Sequence, residues 1–136
     1  MEGPIPARWA PYLLSVLRIV VAFLFIAHGT QKLFGFPTGE PPRPPVPLMS
    51  LLGAASVIET FGGLCMLLGL FTRPIAFILA GEMAFAYFIA HAPRGLLPLL
   101  NGGELAVVYC FLFLYLSVAG GGAWSVDAYR QGAVTS

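Results

Sequence analysis

Residues 12–36 read YLLSVLRIVVAFLFIAHGTQKLFGF, and this stretch decides the fold. A helix needs roughly 20 predominantly apolar residues to cross about 30 Å of hydrocarbon, and this run exceeds that length. It is too long for the core of a secretory signal, it contains His28 and Lys32, and no small-residue cleavage pattern follows it. It therefore reads as a retained helix over about residues 12–36. The period-two alternation of a membrane barrel is absent, and a helix pairs all of its own backbone groups in hydrocarbon.

Three further apolar runs lie outward from it. Residues 37–47, PTGEPPRPPVP, carry six prolines in eleven positions, which excludes helix and favours an extended surface loop. A second helix is expected over about 48–71, with Ser50 as its N-cap, ending where Pro74 disfavours helix at the preceding residue. A third opens with Pro74 in its first turn and runs to about 92, where Pro93, Arg94 and Gly95 break it. Residues 96–103 read as a loop or short interfacial piece with Asn101 as a cap. A fourth helix follows over about 103–119 and stops at the glycines 120–122.

The composition agrees. The chain has 136 residues, of which 58% are hydrophobic and only 10% charged, whereas soluble domains carry about a quarter charged residues. So small a chain cannot hide that much apolar surface from water. The expectation is an all-α polytopic membrane protein, residues 1–136 as a single domain, with four transmembrane helices in an up-down-up-down bundle. The lipid bilayer is its first partner. A net charge of +1 with no basic run gives nucleic acid no foothold. Arg8, Arg73 and Arg130 fall on one side, and Arg43 and Arg94, with Lys32 nearby, on the other. That bias places both termini in the cytoplasm and the protein in the cell (inner) membrane. Cys65 and Cys110 sit inside apolar runs with no second cysteine nearby, so they read as small buried hydrophobes, without a redox CxxC or a zinc site.

The informative residues are the polar ones inside the apolar runs: Arg18, His28, Lys32, Glu59, Glu82 and His91, with Glu104 at the start of the last helix. Each ionised group near the bilayer centre costs roughly 2.5–3.5 kcal/mol, so such groups face the bundle interior and pair. At about 100° per residue, Arg18, His28 and Lys32 fall within an arc of roughly 80°, with Gln31 beside them. Helix one therefore presents a cationic stripe toward Glu59 and Glu82 on its neighbours. Each residue also has a plainer structural reading. Arg18 and Lys32 can snorkel to an interface, Glu59 and Glu82 can be fixed in ion pairs, His28 can be a satisfied core histidine and His91 an interfacial one. Gly62, Gly63, Gly69 and Gly81 read as points of close helix approach. Phe61, Phe85, Tyr87 and Tyr109 offer an apolar slot for a ring such as a quinone. Two histidines are a thin signal for haem, which is not expected, and no metal site is assigned.

Three segments in combination resemble the DoxX family of small bacterial and archaeal membrane proteins: RIVVAFLFIAHGTQKLFGF (18–36), IETFGGLCMLLGLFTRP (58–74) and NGGELAVVYCFLFLYLSVAGGGAWSVD (101–127). The resemblance covers nearly the whole chain. It carries over Arg18, His28, Gly29, Lys32, Glu59, Gly63, Arg73, Asn101, Glu104 and Asp127. It implies a four-helix membrane protein linked to redox chemistry. Some relatives are subunits of a thiosulfate:quinone oxidoreductase, and others associate with thiol or superoxide defence proteins.

Two classes of function follow. In a redox component, Arg18, Lys32, Gln31, Asn101 and Glu104 bind an anionic substrate or a quinone oxygen, and Glu59, Glu82 and His28 move protons. The chain has no flavin fingerprint and no cysteine cluster, so electrons must reside on a bound quinone or on a redox partner subunit. In the alternative, the buried charges fasten a membrane anchor or assembly factor, or the deep carboxylates serve a small-solute or proton-coupled permease. In either class, a second copy of the chain, in a homo-oligomer, is a candidate partner.

Overall fold

The computed structural model describes residues 3–134, and among them there are helices and no strands. A short 3-10 turn, Ala7–Trp9, leads into α1, Ala10–Phe34, which carries Pro11 in its first turn. Helix α2 is Leu51–Leu68 and α3 is Thr72–Ala86. A π-helical turn, Tyr87–His91, and a 3-10 turn, Ala92–Arg94, extend α3. The single turn α4, Pro98–Asn101, precedes α5, Glu104–Ala119, and α6, Val126–Val134.

Three helical stretches are long and apolar enough to cross a membrane, Ala7–Phe34, Leu51–Leu68 and Thr72–Arg94, and a shorter apolar helix, Glu104–Ala119, packs with them. This is a membrane protein whose helices contact lipid. The outward faces carry Phe23, Phe77, Phe111 and Val118, all exposed on the protein surface.

Local chemistry sets the ends. Ser50 caps α2 as the sequence predicts, its hydroxyl accepting from the Gly53 N–H at 3.0 Å. The helix stops at Leu68 rather than near residue 71. Gly69 takes a left-handed φ of 68°, and the Leu70 N–H turns back to the Cys65 carbonyl at 2.9 Å, the pattern of a Schellman close. Phe71 then adopts a left-handed φ of 49°, uncommon for a side-chain-bearing residue. Helix α6, which the apolar runs did not foretell, answers that strain. Asp127 accepts from the Phe71 and Thr72 N–H groups, both at 2.8 Å, and so caps α3 from a distant part of the chain. Arg130 lies 5.3 Å over the Phe71 ring.

Neighbouring helices run antiparallel. Lys32 near the end of α1 meets Glu59 in the middle of α2, whereas Arg18 near its start meets Met66 and Leu67 at the end of α2. Gly62 on α2 faces Leu79 on α3, and Gly103 and Gly120 at the two ends of α5 lie against Tyr87 and Arg73 of the α3 stretch. Buried Val21, Phe25, Met66, Leu79, Phe113 and Leu116 form the core between them. Phe25 joins α1 to α5 by edge contacts with Phe113 and Tyr109, at 4.9 and 5.4 Å between ring centroids. Such pairs contribute about 0.5–1.5 kcal/mol beyond their burial.

The close approaches are not all where expected. A Cβ on Gly29 would lie 2.5 Å from Thr60 Oγ1 and 2.8 Å from its backbone nitrogen, so glycine sets the α1–α2 distance there. Gly63 does the same against Ile26. Gly81 has nothing within 4 Å, and no helix approaches it. Cys65 and Cys110 are free thiols.

Candidate functional site

The polar stripe of α1 divides into two sites. Arg18 and Lys32 are fourteen positions apart, about 21 Å along a helix, so they serve opposite ends of the bundle.

At one end Arg18 is completely buried, and its donors go to backbone carbonyls rather than to a cavity. Nε donates to Gly121 at 2.9 Å, Nη1 to Met66 and Leu67, and Nη2 to Trp124. Buried Ser15 joins the same cluster, donating to Gly121 at 3.1 Å and accepting from the Trp124 N–H at 2.9 Å. The planar guanidinium thus binds carbonyls at the end of α2 and ties them to the segment after α5. The substrate-binding role expected for Arg18 has no exposed donor to carry it, and the snorkelling alternative fails as well, because the side chain is fully buried. The segment WSVD (124–127) takes its meaning from this arrangement: Trp124 accepts from Arg18 and Asp127 caps α3. Burial alone would push the Asp127 carboxyl up, but the two N–H groups it accepts, with Arg130 nearby, hold it below the usual aspartate range. A cleft of about 480 Å³ at this end is lined by Arg73, Ser125 and Asp127 among others.

At the other end, Lys32 Nζ sits 2.8 Å from Oε1 and 3.0 Å from Oε2 of Glu59. The carboxylate is 4% exposed and the lysine side chain 31%, so the cation keeps an open flank. The pair borders a cavity of about 300 Å³ whose lining includes Phe25, His28, Lys32, Glu59, His91 and Tyr109. That volume lies at the small end of ligand pockets, which combine apolar walls with a few placed polar groups. The His28 and Tyr109 rings meet edge-on at 6.1 Å. Glu82 comes from α3 beside Glu59; both its oxygens are buried and neither meets a donor.

Three expected residues, His28, Lys32 and Glu59, therefore line one cavity, with Glu82 adjoining Glu59. Asn101 acts behind it. Its amide donates to the Tyr87 hydroxyl at 3.1 Å and the Gly95 carbonyl at 2.9 Å, and its Oδ1 accepts from the Gly103 N–H at 2.8 Å. Its backbone carbonyl meets His91 Nδ1 at 3.2 Å, and so orients the second histidine of the lining. Gln31 instead donates to the Pro37 carbonyl at 3.0 Å, holding the proline-rich loop on the end of α1. Glu104 is exposed at the start of α5 and does not line the cavity. Of the aromatic slot, Tyr109 lines the cavity and Tyr87 stacks on His91, while Phe61 and Phe85 face outward.

His91, read as interfacial, belongs to the lining because the π-helical turn Tyr87–His91 carries it. Phe25 was hidden among many apolar residues, and nothing in the sequence singles it out. Among the described residues, no three His, Cys, Asp or Glu side chains gather as metal ligands would.

The DoxX family profile matches residues 13–92. A Haemophilus influenzae protein described as uncharacterized is 48% identical over 126 residues, covering 88% of this chain and 92% of its own. No solved structure matches. With the match spanning α1 to the π-helical turn that carries His91, the chain belongs to the DoxX family.

Proposed function

We propose that the protein is the quinone-holding membrane component of a redox system, one domain with four crossings up-down-up-down and both termini in the cytoplasm. The observation that carries this reading is the cavity at the Lys32–Glu59 pair. Phe25 and Tyr109 offer aromatic walls to a ring, while Lys32, His28 and His91 supply polar contacts at its edge. A quinone bound there would supply a two-electron, two-proton acceptor. Lys32, with its open flank, attracts a ring oxygen as its charge grows. Glu59 holds that ammonium in place, and Asn101 holds His91. The electrons come from a partner subunit acting on a reductant such as a thiol or small sulfur compound. The chain supplies the lipid-side half of the reaction. Lys32 is committed to Glu59, so the arginines alone, Arg8, Arg73 and Arg130 against Arg43 and Arg94, support the orientation.

Extraction of the protein purified in mild detergent tests the reading. Quinone should co-purify in near-stoichiometric amount with the wild type and fall at least tenfold in Lys32→Met. A monodisperse wild-type protein free of quinone, unable to take up an added short-chain benzoquinone, would sink it. The adjoining carboxyls Glu59 and Glu82 favour a second reading, a proton-coupled permease. Solute uptake by reconstituted vesicles, lost in Glu59→Gln, would support that instead.

A further inference from the structure

Glu82 is the one buried polar group near the cavity that the arrangement leaves unexplained. Neither of its oxygens meets a donor, and its polar neighbour is another carboxyl. The titratable groups around the two acids are Lys32 and His28 from α1, Tyr109 from α5, and His91 at the end of the α3 stretch. Lys32 is the single fixed cation, and both its short contacts go to Glu59. One ammonium cannot neutralise two buried carboxylates, and an ionised carboxyl sealed from water without a donor is among the costliest groups a protein interior can hold. A hydrogen placed between the two acids removes both objections. It supplies Glu82 with a hydrogen bond to Glu59 and brings the cluster to net zero charge.

We propose that Glu59 and Glu82 hold one proton between them, making this cluster the proton donor for an oxygen anion that binds at Lys32. The transfer balances simply: the acid O–H bond breaks, an O–H bond forms on the ligand, and the pair keeps the extra negative charge beside Lys32. Water reloads it at the cavity mouth, where His28, Gly102 and Leu105 are exposed members of the lining. The shared proton stands on the geometry of the three side chains alone. Its delivery to a ring oxygen rests on the quinone reading.

Infrared spectroscopy of the full chain in detergent or lipid reads the proton directly. Wild type at pH 7 should give the C=O band of a neutral carboxylic acid, shifted on exchange into heavy water. Glu82→Gln should abolish the band and leave the melting temperature unchanged, because glutamine mimics the neutral acid. Glu59→Gln should abolish it too, since Lys32 then pairs with Glu82. Lys32→Met should roughly double it by leaving two carboxyls without a cation. A wild-type protein with no neutral-carboxyl band at pH 7 overturns the proposal whatever the variants do, and so does a band that both glutamine substitutions leave intact. If the band is present and no quinone is bound, the shared proton stands and the quinone reading falls. If quinone is bound and the band is absent, the reverse holds.

Discussion

At the scale of single residues, buried charge is used here in two unlike ways. Arg18 directs its donors to backbone carbonyls and is fully buried, out of reach of a ligand, whereas Lys32 retains an open flank. Arg18→Lys keeps the charge, but one ammonium cannot reach Gly121, Met66, Leu67 and Trp124, which surround the plane of a guanidinium. It should cost about 1.5–3 kcal/mol of stability, seen as a lower melting temperature in detergent, while the folded protein still takes up quinone. Asp127→Ala should cost about 1 kcal/mol, the usual value of a lost N-cap. The pH dependence of that difference has a definite sign. A carboxyl held below its usual range in the folded state contributes stability that is complete above the unfolded value and is lost as pH falls through the folded one. The gap in melting temperature between wild type and variant should therefore stay constant down to about pH 4 and narrow only below it.

Among the elements, the α1–α2 contact governs the site, because it brings Lys32 to Glu59. Its distance is set at Gly29 by Thr60, whose backbone nitrogen cannot move aside as a side chain can. Gly29→Ala should destabilise the protein by about 1–3 kcal/mol and reduce quinone uptake with it. Gly81→Ala is the control. With nothing within 4 Å, the added methyl should leave both the melting temperature and the uptake at or above the wild-type level. The helix ends illustrate what was legible and what was not. The Ser50 cap could be read because its signal is local, a hydroxyl three residues before the N–H it accepts. The cap on α3 could not, because its acceptor, Asp127, comes from 55 residues further along the chain. The place of His91 in the cavity lining was hidden for a related reason. The neighbouring proline marks the end of a helix, but the π-helical turn that redirects the side chain is a property of packing against Asn101 and Tyr87.

For the whole molecule, the first end of α1, the α2–α3 turn and the segment after α5 meet at Arg18, while the proline-rich loop lies at the opposite end, on Gln31 and Lys32. In a cysteine-free background within intact cells, a membrane-impermeant maleimide should label Thr38→Cys directly and Tyr129→Cys only after permeabilisation. Equal labelling of both without permeabilisation would refute the proposed orientation. By itself the sequence determined the solvent and the class of structure: only helices and closed barrels satisfy their backbone hydrogen bonds in lipid, and apolar runs of this length without the alternation of a barrel are helices. It also identified His28, Lys32, Glu59 and Glu82, because an ionisable group within an apolar run is visible without any fold. Only the tertiary structure decided which of these groups meet. Angular position about a helix can be read from spacing, but depth and partner depend on where neighbouring helices cross. One stripe on α1 therefore became a backbone staple at Arg18 and, about 21 Å away, a cavity at Lys32.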